Sequence, residues 1–221
     1  EMGLISDTHK EHLRREFENS LVDQVSLTVF TQETECMFCR EARELVQEVA
    51  AISEKLKVDI YDFVKDSNKA EEYGIDKVPA IIISGRKPYG IRFYGVPAGY
   101  EFKPFTDDII NASKGATSLS EATKERLKSI DKPVHIQVFV TPTCPYCPSA
   151  TSLAHQFAIE SSQIKSDMIE VTEFPHLAQK YAVMSVPKVV INETVQFAGA
   201  LPEDHFVQHI LLAVKPSKIY I

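Results

Sequence analysis

Two Cys-x-x-Cys pairs, each followed at the same distance by a proline, constrain this chain more than any other feature. The chain has 221 residues and four cysteines, which are Cys36, Cys39, Cys144 and Cys147. Pro79 lies 43 residues after Cys36, and Pro187 lies 43 residues after Cys144. The agreement of both spacings indicates a tandem repeat in which equivalent positions are 108 residues apart. Each repeat has the size of an ordinary domain.

Both repeats show the same predicted order of helices and strands. In the first we expect helix 7–20, strand 25–31, a helix from the cysteines to 55, strand 57–64, helix 67–73, strands 79–84 and 89–95, and helix 101–112. In the second we expect helix 119–130, strand 133–140, a helix from the cysteines to 161, strand 167–172, helix 175–182, strands 187–191 and 194–199, and helix 203–213. Strands alternating with helices predict an α/β fold.

The expected architecture is two tandem domains, each a central mixed four-stranded sheet flanked by helices. The stretch 111–118 is the most polar, small-residue segment in the middle of the chain and marks the boundary. We therefore divide the chain into residues 1–115 and 116–221.

Charge and hydropathy exclude several classes of function. The formal net charge is -7 and the pI is about 5.5, which argues against nucleic acid and against an anionic membrane surface as partners. Apolar runs such as 78–83 are far shorter than the ~20 residues of a membrane span. The first residues lack the pattern of a signal peptide. We expect a cytoplasmic protein that binds no membrane.

Each cysteine pair falls where a strand gives way to a helix. The unsatisfied N–H groups and the positive dipole end at a helix N-terminus stabilise an anion, which lowers the pKa of a nearby thiol. We expect Cys36 and Cys144 to be the attacking thiolates. Cys39 and Cys147, three residues on and less exposed, would then resolve the mixed disulfide.

Other interpretations of the same residues stay open at this point. The four cysteines could share one zinc ion, although zinc ribbons separate their pairs by only ~15–20 residues. Each pair could be a structural disulfide, although so small a loop stabilises a fold little, or a pair of inert buried thiols. Pro79 and Pro187 could be ordinary trans-prolines at the first residue of a strand.

The combination of strand, Cys-x-x-Cys at a helix start and a later Val-Pro resembles the thioredoxin superfamily. The resemblance implies two tandem thioredoxin-like domains in which Pro79 and Pro187 are cis and face the cysteines. It implies that Val78 and Val186 pair with an extended substrate, and that Gly95 and Gly199 lie near the same groove. The candidate substrate-binding positions are therefore Val78, Pro79, Val186 and Pro187.

The two motifs differ in how specific they are. Pro145-Tyr146 between the second pair is the glutaredoxin form, whereas Met37-Phe38 between the first pair is identified by position. The whole chain resembles the glutaredoxin-like protein disulfide oxidoreductases of thermophilic archaea and bacteria. We hypothesise that Met37, Phe38, Pro145 and Tyr146 also contact substrate, and the alternative for Met37 and Phe38 is local packing.

The chain departs from thioredoxins at one position in each repeat. Phe30 and Val138 stand six residues before the first cysteines, where thioredoxins carry a buried Asp. Glu33 and Glu35 are expected to be solvated loop charges, and His155 a packing or surface residue. The proton acceptor of thioredoxins is therefore missing from both motifs.

The favoured function is an enzyme that reduces, oxidises and isomerises protein disulfides by thiol–disulfide exchange. The cysteines carry the electrons, so we expect no bound cofactor and no metal. Partners would be proteins with disulfides or dithiols and, as the resemblance implies, a thioredoxin-reductase-like flavoprotein as electron donor. One alternative is a dedicated electron carrier between such a flavoprotein and a peroxidase. Another is a redox-inert chaperone or metal-binding scaffold.

Overall fold

A computed structural model describes residues 3–215 of the chain. The helices are α1 Asp7–Ser20, α2 Cys39–Ala50, α3 Ser67–Tyr73, α4 Phe102–Lys114, α5 Glu121–Lys128, α6 Cys147–Glu160, α7 Pro175–Lys180 and α8 Glu203–Val214. The strands are β1 Val25–Thr31, β2 Leu56–Asp62, β3 Ala80–Ser84, β4 Pro88–Tyr94, β5 Val134–Val140, β6 Ile164–Glu170, β7 Lys188–Ile191 and β8 Val195–Ala198. A 3₁₀ turn at Gly99–Glu101 leads into α4. None of the helices within residues 3–215 combines the length and apolarity that crossing a bilayer requires.

All eight strands form one sheet in the order β2-β1-β3-β4-β6-β5-β7-β8. Each repeat contributes four neighbouring strands of mixed direction, so the α/β class with two tandem repeats is confirmed. The repeats do not keep separate sheets, because β4 of the first pairs in parallel with β6 of the second. This junction was not predicted from the sequence.

The strand directions place both cysteine pairs at one edge of the sheet. β3 runs antiparallel to β1 and to β4, so β1 and β4 point the same way. β4, β6 and β5 are successively parallel, so β5 shares that direction. The carboxyl ends of β1 and β5 therefore lie on the same edge. Four strand spacings separate them, which is roughly 19 Å at about 4.8 Å per step.

The larger core covers one face of the sheet and continues through both repeats. It combines Phe17 of α1, Val46 of α2, Phe105 of α4, Phe157 of α6 and Phe206 of α8, all at most 1% exposed. The smaller core covers the opposite face under α3 and α7 and includes β-strand residues from both repeats. Burial of one continuous apolar layer therefore favours a fixed arrangement of the two repeats.

A buried ion pair joins the repeats at the β4–β6 junction. Arg92 and Asp167 are register partners, and Arg92 donates to both carboxylate oxygens at 2.6 and 3.0 Å. His135 Nε2 lies 2.6 Å from the same carboxylate, and Arg92 Nη1 donates to the carbonyl of Gly74. These neighbours lower the pKa of Asp167 against the opposing effect of burial, which is the largest single influence. The buried carboxylate is thereby kept ionised and fully paired.

Several predicted boundaries were wrong by a few residues. β6 begins at Ile164 and not at 167. Ser166 and Asp167 are polar residues, but both are buried at the junction. α2 ends at Ala50 and not at 55. α4 runs to Lys114 and ends at Gly115, whose φ of 64° is a left-handed helix stop. The division into residues 1–115 and 116–221 stays a prediction.

Replacing Arg92 by Met should destabilise the protein strongly. Asp167 would keep only His135 beside its buried charge. Removal of one partner from a buried ion pair costs about 3–5 kcal/mol in the free energy of unfolding. Arg86→Met is the matched control, because Arg86 pairs with Asp23 at the surface, where such pairs contribute less than about 1 kcal/mol. Arg92→Met/Asp167→Leu should recover most of the loss. Equal losses in urea denaturation for Arg92→Met and Arg86→Met would contradict the role of the junction pair.

Candidate functional site

Each cysteine pair lies in the loop between a strand and the helix that follows it. Cys36 and Cys39 form a disulfide between β1 and α2, and Cys144 and Cys147 form one between β5 and α6; the Cα atoms are 5.5 Å apart in both. Cys39 and Cys147 are 2% and 0% exposed, whereas Cys144 is 7% exposed and Cys36 is half-buried. The first cysteine of each pair is thus the more accessible one, as predicted.

The helices begin at the second cysteine of each pair. Cys36 and Cys144 lie in the turn just before α2 and α6. At the second site the backbone N–H of Cys147 donates to Cys144 Sγ at 3.1 Å. An N–H group at the helix N-terminus thus contacts the sulfur, and hydrogen bonds of this kind favour the thiolate. At the first site Gln32 N donates to Cys39 Sγ at 3.4 Å.

The two prolines lie beside the cysteine loops because of the sheet register. β3 starts at Ala80, which pairs with Phe30 near the carboxyl end of β1, so Pro79 is at the edge where the cysteines lie. Lys188 pairs with Phe139 in the same way and brings Pro187 to the second loop. Both Val-Pro peptide bonds are cis. The carbonyls of Pro79 and Pro187 accept hydrogen bonds from the N–H groups of the glycines at 95 and 199.

The residue before each cis-proline leaves its backbone free for another chain. Among residues 3–215, no hydrogen bond to the N–H or the carbonyl of Val78 or Val186 is made. Both valines are half-buried and stand at the edge shared with the cysteines. Met184, two residues before Val186, is 93% exposed. An extended peptide could therefore pair with these backbone groups as an added strand does.

The residues between the cysteines differ in exposure. Met37 is 82% exposed and Tyr146 is 70% exposed, while Pro145 is also exposed. Phe38 is half-buried and borders a cleft between the repeats. The structure thus brings all twelve predicted site residues to one edge of the sheet, in two groups.

The sequence did not predict a group of buried polar side chains beside Cys147. Thr151 lies one helical turn after Cys147 on α6, and Glu101 of the first repeat lies next to it. His155, one turn further, is fully buried, and its Nδ1 is 2.5 Å from Asp108 of α4. Neither oxygen of Glu101 has a hydrogen bond of normal geometry to residues 3–215.

Burial sets the protonation of these acids. It raises the pKa of Glu101 to about 7, against the opposing influence of the Thr151 hydroxyl and His155. Burial also raises the pKa of Asp108. Glu101 looks like an ordinary acidic residue at a helix start in the sequence, which offers no sign that the other repeat covers it.

The geometry does not permit all four cysteines to share one zinc ion. The two pairs are at strand ends four spacings apart, whereas a Zn–S bond is only about 2.3 Å long. Within residues 3–215, moreover, no three His, Cys, Asp or Glu side chains are grouped as metal ligands.

Glu101→Gln should flatten the dependence of stability on pH. Because burial raises the pKa of Glu101 in the folded state, the folded protein keeps a proton that the unfolded chain releases between pH 4.5 and 7, and stability falls as pH rises through that window. The variant lacks this loss, so by pH 8 its free energy of unfolding should have gained on the order of 3 kcal/mol relative to that of the wild type. Glu18→Gln, on the exposed side of α1, is the control. Parallel curves for Glu101→Gln and wild type in urea denaturation would refute the assignment.

Three known proteins show what this chain is similar to. A protein disulfide oxidoreductase from Aeropyrum pernix K1 superimposes with a TM-score of 0.86 at 34% identity, over 93% of this chain and 91% of that chain. A thioredoxin from Methanocaldococcus jannaschii is 37% identical over 78 residues, which are 35% of this chain and 92% of that protein. The F component of the alkyl hydroperoxide reductase of Staphylococcus epidermidis is 24% identical over 153 residues, 69% of this chain but only 27% of that protein.

The family match covers both repeats. The thioredoxin domain family matches residues 25–105 and again residues 134–212, so each match contains one strand–cysteine–helix unit and its cis-proline. By these two matches, which together span most of its length, the chain belongs to the thioredoxin domain family.

Proposed function

We propose that this protein is a protein disulfide oxidoreductase with two dithiol/disulfide sites, Cys36/Cys39 and Cys144/Cys147. The observation that carries the proposal is the pairing, at each site, of a cysteine before a helix N-terminus with a free backbone edge at the residue before the cis-proline. One structural relative, at 34% identity over nearly the whole chain, bears the name protein disulfide oxidoreductase.

The reaction needs only the two sulfurs of a site and the substrate disulfide. The thiolate of Cys144 attacks one substrate sulfur, a mixed disulfide forms and the other substrate sulfur leaves as a thiolate. Cys147, once deprotonated, attacks Cys144 Sγ, so that the second substrate thiolate leaves and the Cys144–Cys147 disulfide forms. Two electrons pass from the enzyme dithiol to the substrate disulfide. The reverse sequence oxidises a substrate dithiol, and Cys36 and Cys39 act in the same way.

We infer that Glu101 accepts the proton of Cys147. It lies beside Thr151, one turn from the buried cysteine, and burial raises its pKa to about 7, near the pH at which the proton must move. Glu101 would thus take the role of proton acceptor that thioredoxins give to a buried Asp at the position of Val138. The acid comes from the first repeat and serves the site of the second.

Substrate would bind as an extended strand. Its backbone would pair with Val78 or Val186 beside Pro79 or Pro187, and the exposed side chains of Met37, Pro145 and Tyr146, with Phe38, would contact its apolar groups. This mode of binding recognises the backbone and the apolar side chains of the substrate, so it suits substrates of varied sequence.

The electron supply is part of the proposal. The sulfurs carry the electrons, so the enzyme needs no bound cofactor, and a thioredoxin-reductase-like flavoprotein would reduce the disulfides in the cytoplasm. The similarity to part of an alkyl hydroperoxide reductase component favours a second candidate, a carrier that passes electrons from a flavoprotein to one peroxidase. Reduction of insulin and reactivation of scrambled ribonuclease distinguish the two, because a dedicated carrier turns over only with its partner.

Removal of both attacking cysteines should abolish the reaction at its first step. Reduced Cys36→Ser/Cys144→Ser should reduce insulin at least about a hundredfold more slowly than wild type, because no accessible thiolate remains. Cys39→Ser/Cys147→Ser is the matched control: it keeps the attack and should accumulate mixed disulfides with insulin, visible by mass spectrometry after thiol blocking. If both double variants gave equal amounts of adduct, the assignment of attacking and resolving cysteines would be wrong.

A further inference from the structure

A cleft of about 610 Å³ lies between the two repeats and is lined in part by Phe38, from the loop that carries the first cysteine pair. One wall comes from the first repeat, including Phe38 of the cysteine loop and Leu45 of α2. The opposite wall comes from the second repeat, including Pro142 of the other cysteine loop and Glu173 after β6. Phe38 directly precedes Cys39, so the cleft opens beside the first disulfide.

The second repeat contacts the first site beside its cis-proline, and the equivalent place at the second site is open in the described part of the chain. The N–H of Gly95 donates to the carbonyl of Pro79, and a Cβ built on Gly95 would come within 3.0 Å of Glu173 Cδ and 2.7 Å of Glu170 Cβ. A Cβ on Gly199, the equivalent position of the second site, would meet no atom of residues 3–215 within 4 Å. The segment after β6 therefore lies along the groove of the first site only.

The cleft combines apolar walls with an excess of negative charge. Glu41, Glu170 and Glu173 line it together with one histidine, His9, and no Lys or Arg does within residues 3–215. Glu170 is buried and accepts hydrogen bonds from Thr172 and from the Glu173 N–H. Glu173 Oε1 accepts from Val96 N at 2.8 Å, while its buried Oε2 has no hydrogen-bond partner in the described part of the chain.

The crowding of these carboxylates is electrostatically unfavourable. Burial, reinforced by the charges of Glu170 and Glu41, raises the pKa of Glu173 to about 7 against the lowering effect of the Val96 N–H. A cation bound in the cleft near Glu41 and Glu173 would relieve this repulsion. An apolar side chain next to that cation would meet Phe38, Leu45 and Phe102.

We propose that the cleft binds a segment of the substrate protein in which an apolar residue adjoins a Lys or Arg, and that Glu173 and Glu41 select the cationic residue. This inference rests on the proposed function of the first site. The first site would thereby prefer cystines flanked by basic residues, while the open groove of the second site would show no such preference.

Matched peptide disulfides test this preference. We would use ten-residue peptides with one cysteine held as its mixed disulfide with 2-mercaptoethanol and a Leu beside a varied position that is Lys, Gln or Glu. In successive sets of peptides, the Leu and the varied residue beside it are placed two to five residues from the cysteine. Reduced Cys144→Ser/Cys147→Ser protein, in which only the first site can react, is mixed with each peptide in 150 mM salt, which screens the general charge of the protein. The rate constant of peptide reduction is measured.

We expect the rate constants to rank Lys above Gln above Glu in at least one set, with a ratio of about tenfold between Lys and Glu, as for one charge-assisted hydrogen bond. Adding Glu41→Gln/Glu173→Gln should bring the ratio below about threefold; Gln at 173 can still accept from Val96. Glu71→Gln, on the exposed side of α3, should leave the ratio unchanged. Cys36→Ser/Cys39→Ser, in which only the second site reacts, should show little preference.

Two results would overturn the inference while leaving the proposed function intact. One is equal rates for the Lys and Glu peptides in every set. The other is a preference that does not depend on the first cleft, because it survives Glu41→Gln/Glu173→Gln and is as large at the second site. Reduction of the small neutral 2-hydroxyethyl disulfide by the same protein tests the exchange chemistry itself. If that reduction also failed, the proposed function would fall, and this inference with it.

Discussion

The parallel pairing of β4 with β6 is the constraint on which the arrangement of the whole molecule depends. It joins two four-stranded sheets into one, and it sets β1 and β5 in the same direction. Both cysteine loops consequently open at one edge. Arg92 donates two hydrogen bonds to Asp167 within this pairing. A slip of one residue would place the two side chains on opposite faces of the sheet and break both hydrogen bonds. The register between the repeats is therefore specified by charge as well as by apolar burial.

The same junction makes the two sites unequal although their local geometry is alike. In each, a strand end, a helix start and a cis-proline meet for the same reasons of register. The junction then brings Glu173 of the second repeat against the groove of the first site, and Glu101 of the first repeat against the helix of the second. Each repeat thus supplies the other with a carboxyl group whose pKa is raised to about 7, chiefly by burial.

The sequence allowed the repeat, the α/β class and the position of the cysteines before helices to be predicted, because these depend on local pattern and on spacing within one repeat. It did not allow the β4–β6 junction to be predicted. In the sequence Asp167 looks like a surface residue, because its partner Arg92 lies 75 positions away. Glu101 and Glu173 escaped notice for the same reason, since their burial arises from contact between repeats. The roles of Val78, Val186 and the residues between the cysteines stay predictions.

The central claim is that each repeat carries its own reversible dithiol/disulfide couple. A redox titration of the unaltered protein in dithiothreitol buffers, with alkylation and mass-spectrometric assignment of every cysteine, tests it most directly. The account predicts that Cys36 and Cys39 are oxidised and reduced together in a two-electron step, and that Cys144 and Cys147 are as well. The two transitions occur at separate potentials or coincide. A pair that stayed in one state across the whole range of potentials, or a disulfide formed between the repeats, would contradict it.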